Sequence, residues 1–178
     1  MNTTAVDDMP YIRENLLSDE TLIFATRPHW IIFMPAVLSF IIALLCYMYG
    51  ARYFMFDAEI WHGYRLYEMV SMVVGAVGVY WLLTAFITYK TSEYGVTDKR
   101  VLMKTGWVRR TSVELFLRKL EAINVDQSIP GRLLNYGTIM IIGTGGTNDP
   151  YLYVPTPLHF RKIVQQQVDK LIDEEDHR

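Results

Sequence analysis

The sequence predicts an α+β membrane protein: a two-helix transmembrane hairpin followed by a small domain of antiparallel strands closed by a C-terminal helix. Three observations predict it. Two runs, Ile31 to Gly50 and Met69 to Tyr89, hold no Asp, Glu, Lys, Arg or His. Beyond them the chain changes to short stretches rich in β-branched and aromatic residues, punctuated by Gly, Pro, Asn and Asp. Last comes one segment with apolar residues every three or four positions.

Each uncharged run is about 20 residues long and, at about 1.5 Å rise per residue, reaches roughly 30 Å, the thickness of a bilayer's hydrocarbon core. A chain of 178 residues is too small to hide two such helices in a soluble core. The expected organisation is an N-terminal segment (1–29), a first span (30–50), a loop (51–68), a second span (69–89), a strand-rich domain (90–174) and a tail (175–178). Composition agrees, at 51% hydrophobic with a mean hydropathy of +0.13.

Charge is unevenly placed. Residues 1–29 carry a net −3, the loop 51–68 a net −1 and residues 90–178 a net +2. No part is basic enough for a nucleic-acid binder. The loop holds two basic residues, whereas residues 90–110 hold Lys90, Lys99, Arg100, Lys104, Arg109 and Arg110. The positive-inside rule therefore places the C-terminal domain in the cytoplasm, and two spans return the N-terminus there, leaving the loop extracytoplasmic. The acidic segment before the first span and the length of its apolar run argue against a cleaved signal peptide. Arg27 and Trp30 are expected as membrane-interface anchors, with Lys90 snorkelling at the end of the second span.

The spans contain no ionisable group, which argues against ion-coupled transport. They do contain small residues at helical spacing: Ala36, Ser39 and Ala43 in the first, Ser71, Gly75 and Gly78 in the second. Such stripes let helix backbones approach closely, either within the hairpin or between protomers. Pro35 is expected to kink the first span.

After Tyr89, strands are expected at Tyr89–Val96, Val101–Thr105, Val108–Leu115, Ile123–Gln127, Gly137–Gly143 and Tyr151–Val154. Thr97-Asp98-Lys99, Gly106 and Thr144–Pro150 mark turns, Phe116–Leu120 a helical turn, and Ile129–Asn135 a loop or short helix. Thr156 and Pro157 then open a helix whose buried stripe is Phe160, Ile163, Val164, Gln167, Val168, Leu171 and Ile172. In the N-terminal segment, Tyr11–Leu17 and Leu22–Phe24 are apolar enough to pack on the domain as a short helix and an added strand.

Catalytic chemistry finds no framework. The four histidines, His29, His62, His159 and His177, are scattered, and the lone Cys46 lies within the first span, so neither a metal site nor an intramolecular disulfide is expected. Gly143-Thr144-Gly145-Gly146-Thr147 lacks the Lys-Ser/Thr that a phosphate loop requires and reads as a hairpin turn. No catalytic residue and no cofactor are assigned.

Several segments nonetheless resemble one family. The run Tyr94 to Leu102 with Lys104-Thr105-Gly106, the run Gln127 to Thr138 (QSIPGRLLNYGT), Gly143 to Thr147, and Pro157 to Arg161 are similar to bacterial pleckstrin-homology-like domains. Glu20-Thr21-Leu22 and Arg27-Pro28-His29-Trp30, just before a double span, resemble the family's membrane-attached members. The resemblance implies two packed antiparallel sheets capped by a C-terminal helix, a binding scaffold rather than an enzyme, and a bacterial inner-membrane location. It also implies ring-like homo-oligomers.

Phosphoinositide-binding pleckstrin-homology domains place basic residues around the first hairpin, and the matching positions here are Lys99, Arg100 and Lys104, the weaker anion-binding candidates. Eight residues of strand at about 3.3 Å each put Lys99 roughly 25 Å from the membrane exit, pointing away from it. The next turn returns, which makes Trp107, Arg109 and Arg110 the better candidates for anionic headgroups, with Lys90 beside them. The expected function is a membrane-anchored binding or scaffold module whose partners are the lipid bilayer and either further copies of itself or another membrane protein. An oligomeric pore or accessory subunit of an exporter, and an anionic-lipid sensor, are the alternatives.

Overall fold

The computed structural model describes residues 9–53, 59–61, 64–106, 111–146 and 150–176. The chain forms two compact units: Met1–His29 together with Thr88–Arg178, and Trp30–Ile87.

In the second unit a 3-10 turn, Trp30–Phe33, leads into helix α2, Met34–Tyr53. Pro35 does not kink this helix. It occupies the first turn, where its missing N–H has no intrahelical partner to lose. A short antiparallel pair, β2 (Glu59–Trp61) with β3 (Tyr64–Arg65), connects to α3, Leu66–Thr91. Both helices are long and apolar enough to cross a membrane. Their side chains are largely exposed, among them Leu44, Met48, Val73 and Leu83. The small-residue stripes divide between two roles. Ser39 lies against Gly78, where an added Cβ would come within 3.2 Å of it, and the Ser39 hydroxyl donates to the Val74 carbonyl at 3.4 Å. Ala36 is buried, and Ser71 donates to the Tyr67 carbonyl of its own helix at 2.7 Å. Gly75, by contrast, faces open space.

The other unit is built from two sheets and a helix. Sheet one runs in the order β1 (Leu22–Thr26), β4 (Glu93–Thr97), β5 (Arg100–Thr105), β6 (Thr111–Phe116); sheet two is β7 (Leu120–Asp126), β8 (Tyr136–Gly143), β9 (Pro150–Pro155). All pairs are antiparallel. A 3-10 turn, Leu117–Lys119, links the sheets. Helix α5, Pro157–Asp176, closes them, burying Phe160, Ile163, Val164 and Gln167, while Ile172, expected in the stripe, is exposed. The core sits between the sheets and under α5: Tyr94, Val96, Val101, Met103, Leu115, Ile139, Ile141, Tyr151 and Val154 join the helix residues. The Tyr94 hydroxyl donates to the Leu152 carbonyl at 3.2 Å and ties one sheet to the other.

The boundary expected at residue 90 is redrawn by the N-terminal segment. Its strand β1 pairs with β4, Thr26 opposite Tyr94 and Leu22 opposite Thr97, and Phe24 meets Phe160 of α5 edge to face. The strand expected at Tyr89 begins instead at Glu93, because α3 continues through Lys90 to Thr91. The domain is therefore discontinuous in sequence, with both long helices inserted between its first and second strands.

Candidate functional site

β4 is buried at every position, and β5 at its first four. One face supplies Tyr94, Val96, Val101 and Met103 to the main core. The other would be open to water without the N-terminal segment. Helix α1, Pro10–Asn15, lies on it, and Met9 and Ile12 pack against Leu102. A Cβ at Gly95 would stand 3.0 Å from Ile12, so the bare backbone there lets α1 approach. The buried carboxylate of Glu93 accepts the first-turn N–H groups of Ile12 at 3.0 Å and Tyr11 at 3.4 Å. These are donors that a helix start leaves without partners, and a negative charge is favourable at that end.

The same segment takes up the basic residues of the first hairpin. Arg100 is only 7% exposed. Its Nε and Nη2 donate to the two oxygens of Glu20 at 2.9 and 2.8 Å, Nη2 also donates to the Asn15 carbonyl at 2.6 Å, and Nη1 to Glu114 at 2.6 Å. Glu20 also accepts from the Thr97 hydroxyl at 2.6 Å and the Leu17 N–H at 3.2 Å. Burial opposes ionisation of Glu20, but the bonds from Arg100, Thr97 and Leu17 outweigh it and hold its pKa below the ordinary carboxylate value. Hydrogen bonding to Glu20 leads the causes that raise Arg100. Lys99 donates to Asp19 in an exposed pair, and the Lys104 ammonium stands 4.7 Å over the Tyr11 ring. Asp98 accepts from the Thr21 N–H at 2.9 Å.

Lys99 and Arg100 at the Thr97–Arg100 turn, and Lys104 towards the other end of β5, thus each face acidic or aromatic groups of residues 11–20. Of the other candidates, Trp107, Arg109 and Arg110 lie outside the described residues. Lys90 is exposed in the last turn of α3. Arg27 is half-buried and Trp30 is 53% exposed. Sequence reasoning passed over Glu20, Thr97 and Glu114 as site residues. The signal that could have found them is the net −3 of the first 29 residues set against a basic hairpin.

A second cluster lies where the chain leaves this unit. The His29 ring stacks on Tyr136 at 5.4 Å, the His29 backbone N–H donates to the Tyr153 carbonyl at 2.6 Å, and Tyr136 tilts against Tyr153 at 6.3 Å. Burial lowers the His29 pKa. Tyr153 and Thr156 both hold positive φ, at 57° and 46°, an uncommon conformation for residues with bulky or branched side chains. Between β7 and β8 runs helix α4, Ile129–Leu134, capped by the Ser128 side chain and ended by Asn135 in the left-handed region. A shallow hollow of about 270 Å³ opens beside it, lined by Asp126, Ser128, Tyr136, Gly137, Thr138, Leu152 and Tyr153.

A four-stranded and a three-stranded antiparallel sheet, closed by a C-terminal helix, match the fold that the sequence resemblance implied. The family described as bacterial PH domain matches residues 17–168, from just before β1, across both long helices, into α5. The chain belongs to the bacterial PH-domain family. Nothing matches it among curated proteins or among solved structures. Membership supports a binding or scaffold module in general terms, since the PH fold carries its functions at sites grafted on it. Among the described residues of this bacterial PH domain, no group of His, Cys, Asp and Glu could hold a metal ion.

Proposed function

We propose that this protein is a non-catalytic PH-type scaffold held at the cytoplasmic face of a bacterial inner membrane by its two long helices, assembling with copies of itself or with another membrane protein. The observation that carries the reading is the exposed apolar surface of α2 and α3, set within the domain between β1 and β4. Water would not tolerate that surface, whereas lipid covers it without cost. The Lys/Arg bias supports the cytoplasmic face. Gly75, open on the outside of the hairpin, and the edge strands β6 and β9 offer contacts to a neighbouring chain. Holding the module at a bilayer raises its effective concentration toward other membrane proteins.

The lipid-sensor reading rests on Arg109 and Arg110, which lie outside the described residues, while Lys99, Arg100 and Lys104 have partners within the chain. The test is extraction from native membranes into lipid nanodiscs followed by mass measurement. A discrete homo-oligomer, or a stoichiometric complex with a second membrane protein, is expected. Recovery of the chain in the soluble fraction, or as a bare monomer, counts against the reading.

A further inference from the structure

Helix α4 presents Ile129 and Leu133 to solvent at 85% and 84% exposure, among the most exposed apolar side chains of the described residues. They are four positions apart and so share one helix face, with the exposed Arg132 beside them. The site is firmly built. A Cβ at Gly131 would come within 2.7 Å of the Tyr136 carbonyl, and the Gln127 side chain donates to that carbonyl at 3.0 Å. Tyr136 in turn carries the stacked ring of His29, the last residue before the apolar stretch that opens at Trp30. The same end of the first sheet holds the pair Thr26 and Tyr94, where the chain departs and returns, whereas the Thr97–Arg100 turn lies at the opposite end.

We propose that α4 is a membrane-interface wedge: Ile129 and Leu133 enter the headgroup boundary of the bilayer that the long helices cross, with Arg132 held among anionic headgroups. The inference rests on the membrane-anchor reading. The occupant is lipid rather than protein because the exposed pair sits beside the chain's own passage into its apolar segment, and amphipathic helices at such a boundary combine apolar and basic side chains in this way.

The experiment uses the full chain in nanodiscs containing phosphatidylglycerol, with Cys46→Ser and one new cysteine carrying an environment-sensitive fluorophore. Leu133→Cys and Ile129→Cys report on α4, Leu44→Cys on the apolar helix, and Glu121→Cys on the end of the second sheet far from α4. Folding is not at risk at Leu133, which is almost fully exposed. The expected result is a blue shift at Leu133, Ile129 and Leu44, with loss of emission by shallow nitroxide-labelled lipid at Leu133 and Ile129 and by deep nitroxide-labelled lipid at Leu44, and no change at Glu121. A Leu133 label that behaves like the one at Glu121, while Leu44 is quenched, overturns the wedge and leaves the anchor intact. A shifted but unquenched Leu133 label means that protein covers α4, which also overturns it. Failure of Leu44 to be quenched overturns the anchor reading itself.

Discussion

Arg100 shows how a basic side chain of a hairpin can find its partners within the chain. In sequence it stands at a hairpin tip among basic neighbours; in the structure it is enclosed by Glu20, Glu114 and the Asn15 carbonyl. Breaking a buried pair leaves an uncompensated charge, so Glu20→Ala should destabilise the domain by about 3 kcal/mol, the lower end of the usual range because Glu114 remains as a partner. Replacing both, Glu20→Leu with Arg100→Met, should cost far less than the sum of the two single changes, and a double-mutant cycle of chemical unfolding in micelles checks this. The same pair sets an acid limit. Glu20 has a folded pKa below its unfolded value, so its contribution is complete above about pH 4.5 and is lost as pH falls through the folded value. Glu20→Gln should therefore remove part of the stability loss seen on acidification below about pH 4.5. His29 acts in a higher window. Its folded pKa is lowered by burial, so the unfolded chain takes the proton first as pH falls below about 6.5, and stability declines there. His29→Phe, which keeps a ring to stack on Tyr136, should flatten the pH 5–7 part of a thermal-stability profile; an unchanged profile would mean that the histidine protonates equally well in both states.

At the scale of elements, the two glycines of α3 were indistinguishable in sequence and are distinct in space. Gly78 meets Ser39 and Phe40 of α2, whereas Gly75 meets nothing. Gly78→Leu must therefore push the two helices apart, and should lower the temperature of unfolding in micelles by several degrees, as overpacking by about 1–3 kcal/mol does. Gly75→Leu should leave that temperature unchanged and shift only the mass measured in lipid, if the outer face joins protomers. Much of the fold was legible in the chain. The turns at Asp98-Lys99 and Gly106, the GTIMIIG strand, and the Thr156-Pro157 helix start each depend on neighbours within a few positions, and each stands close to where it was expected. β1 was legible only as an apolar stretch able to add a strand at Leu22–Phe24; its partner and register were not. Its register with β4 joins residues about 70 apart across two apolar helices, and no local pattern of LIFAT distinguishes a core strand from a linker. The partners of the basic residues were hidden for the same reason, since Tyr11, Asp19 and Glu20 come from that distant arm.

The whole molecule follows from one topological fact: the PH domain is closed by strands on either side of the hairpin. Thr26 pairs with Tyr94, so the two points where the chain departs and returns are neighbouring strand ends. The domain does not need the hairpin in order to close. Joining His29 to Thr88 through a short Gly-Ser linker, with residues 30–87 removed, closes a loop of a kind whose entropic cost grows only slowly with length. That variant should be soluble, monomeric and cooperatively folded, because the core under α5 and the Glu20–Arg100 bridge lie entirely in the retained residues. Removing residues 1–29 instead should fail in any solvent. It strips β1 from the sheet edge, uncovers Leu102, and leaves Glu93 and Arg100 without the helix N–H groups and carboxylate that now satisfy them. Circular dichroism and gel filtration of the two variants decide the matter. A folded 30–178 variant, or a molten linker variant, would show that the arm is an accessory and not the first strand of the domain.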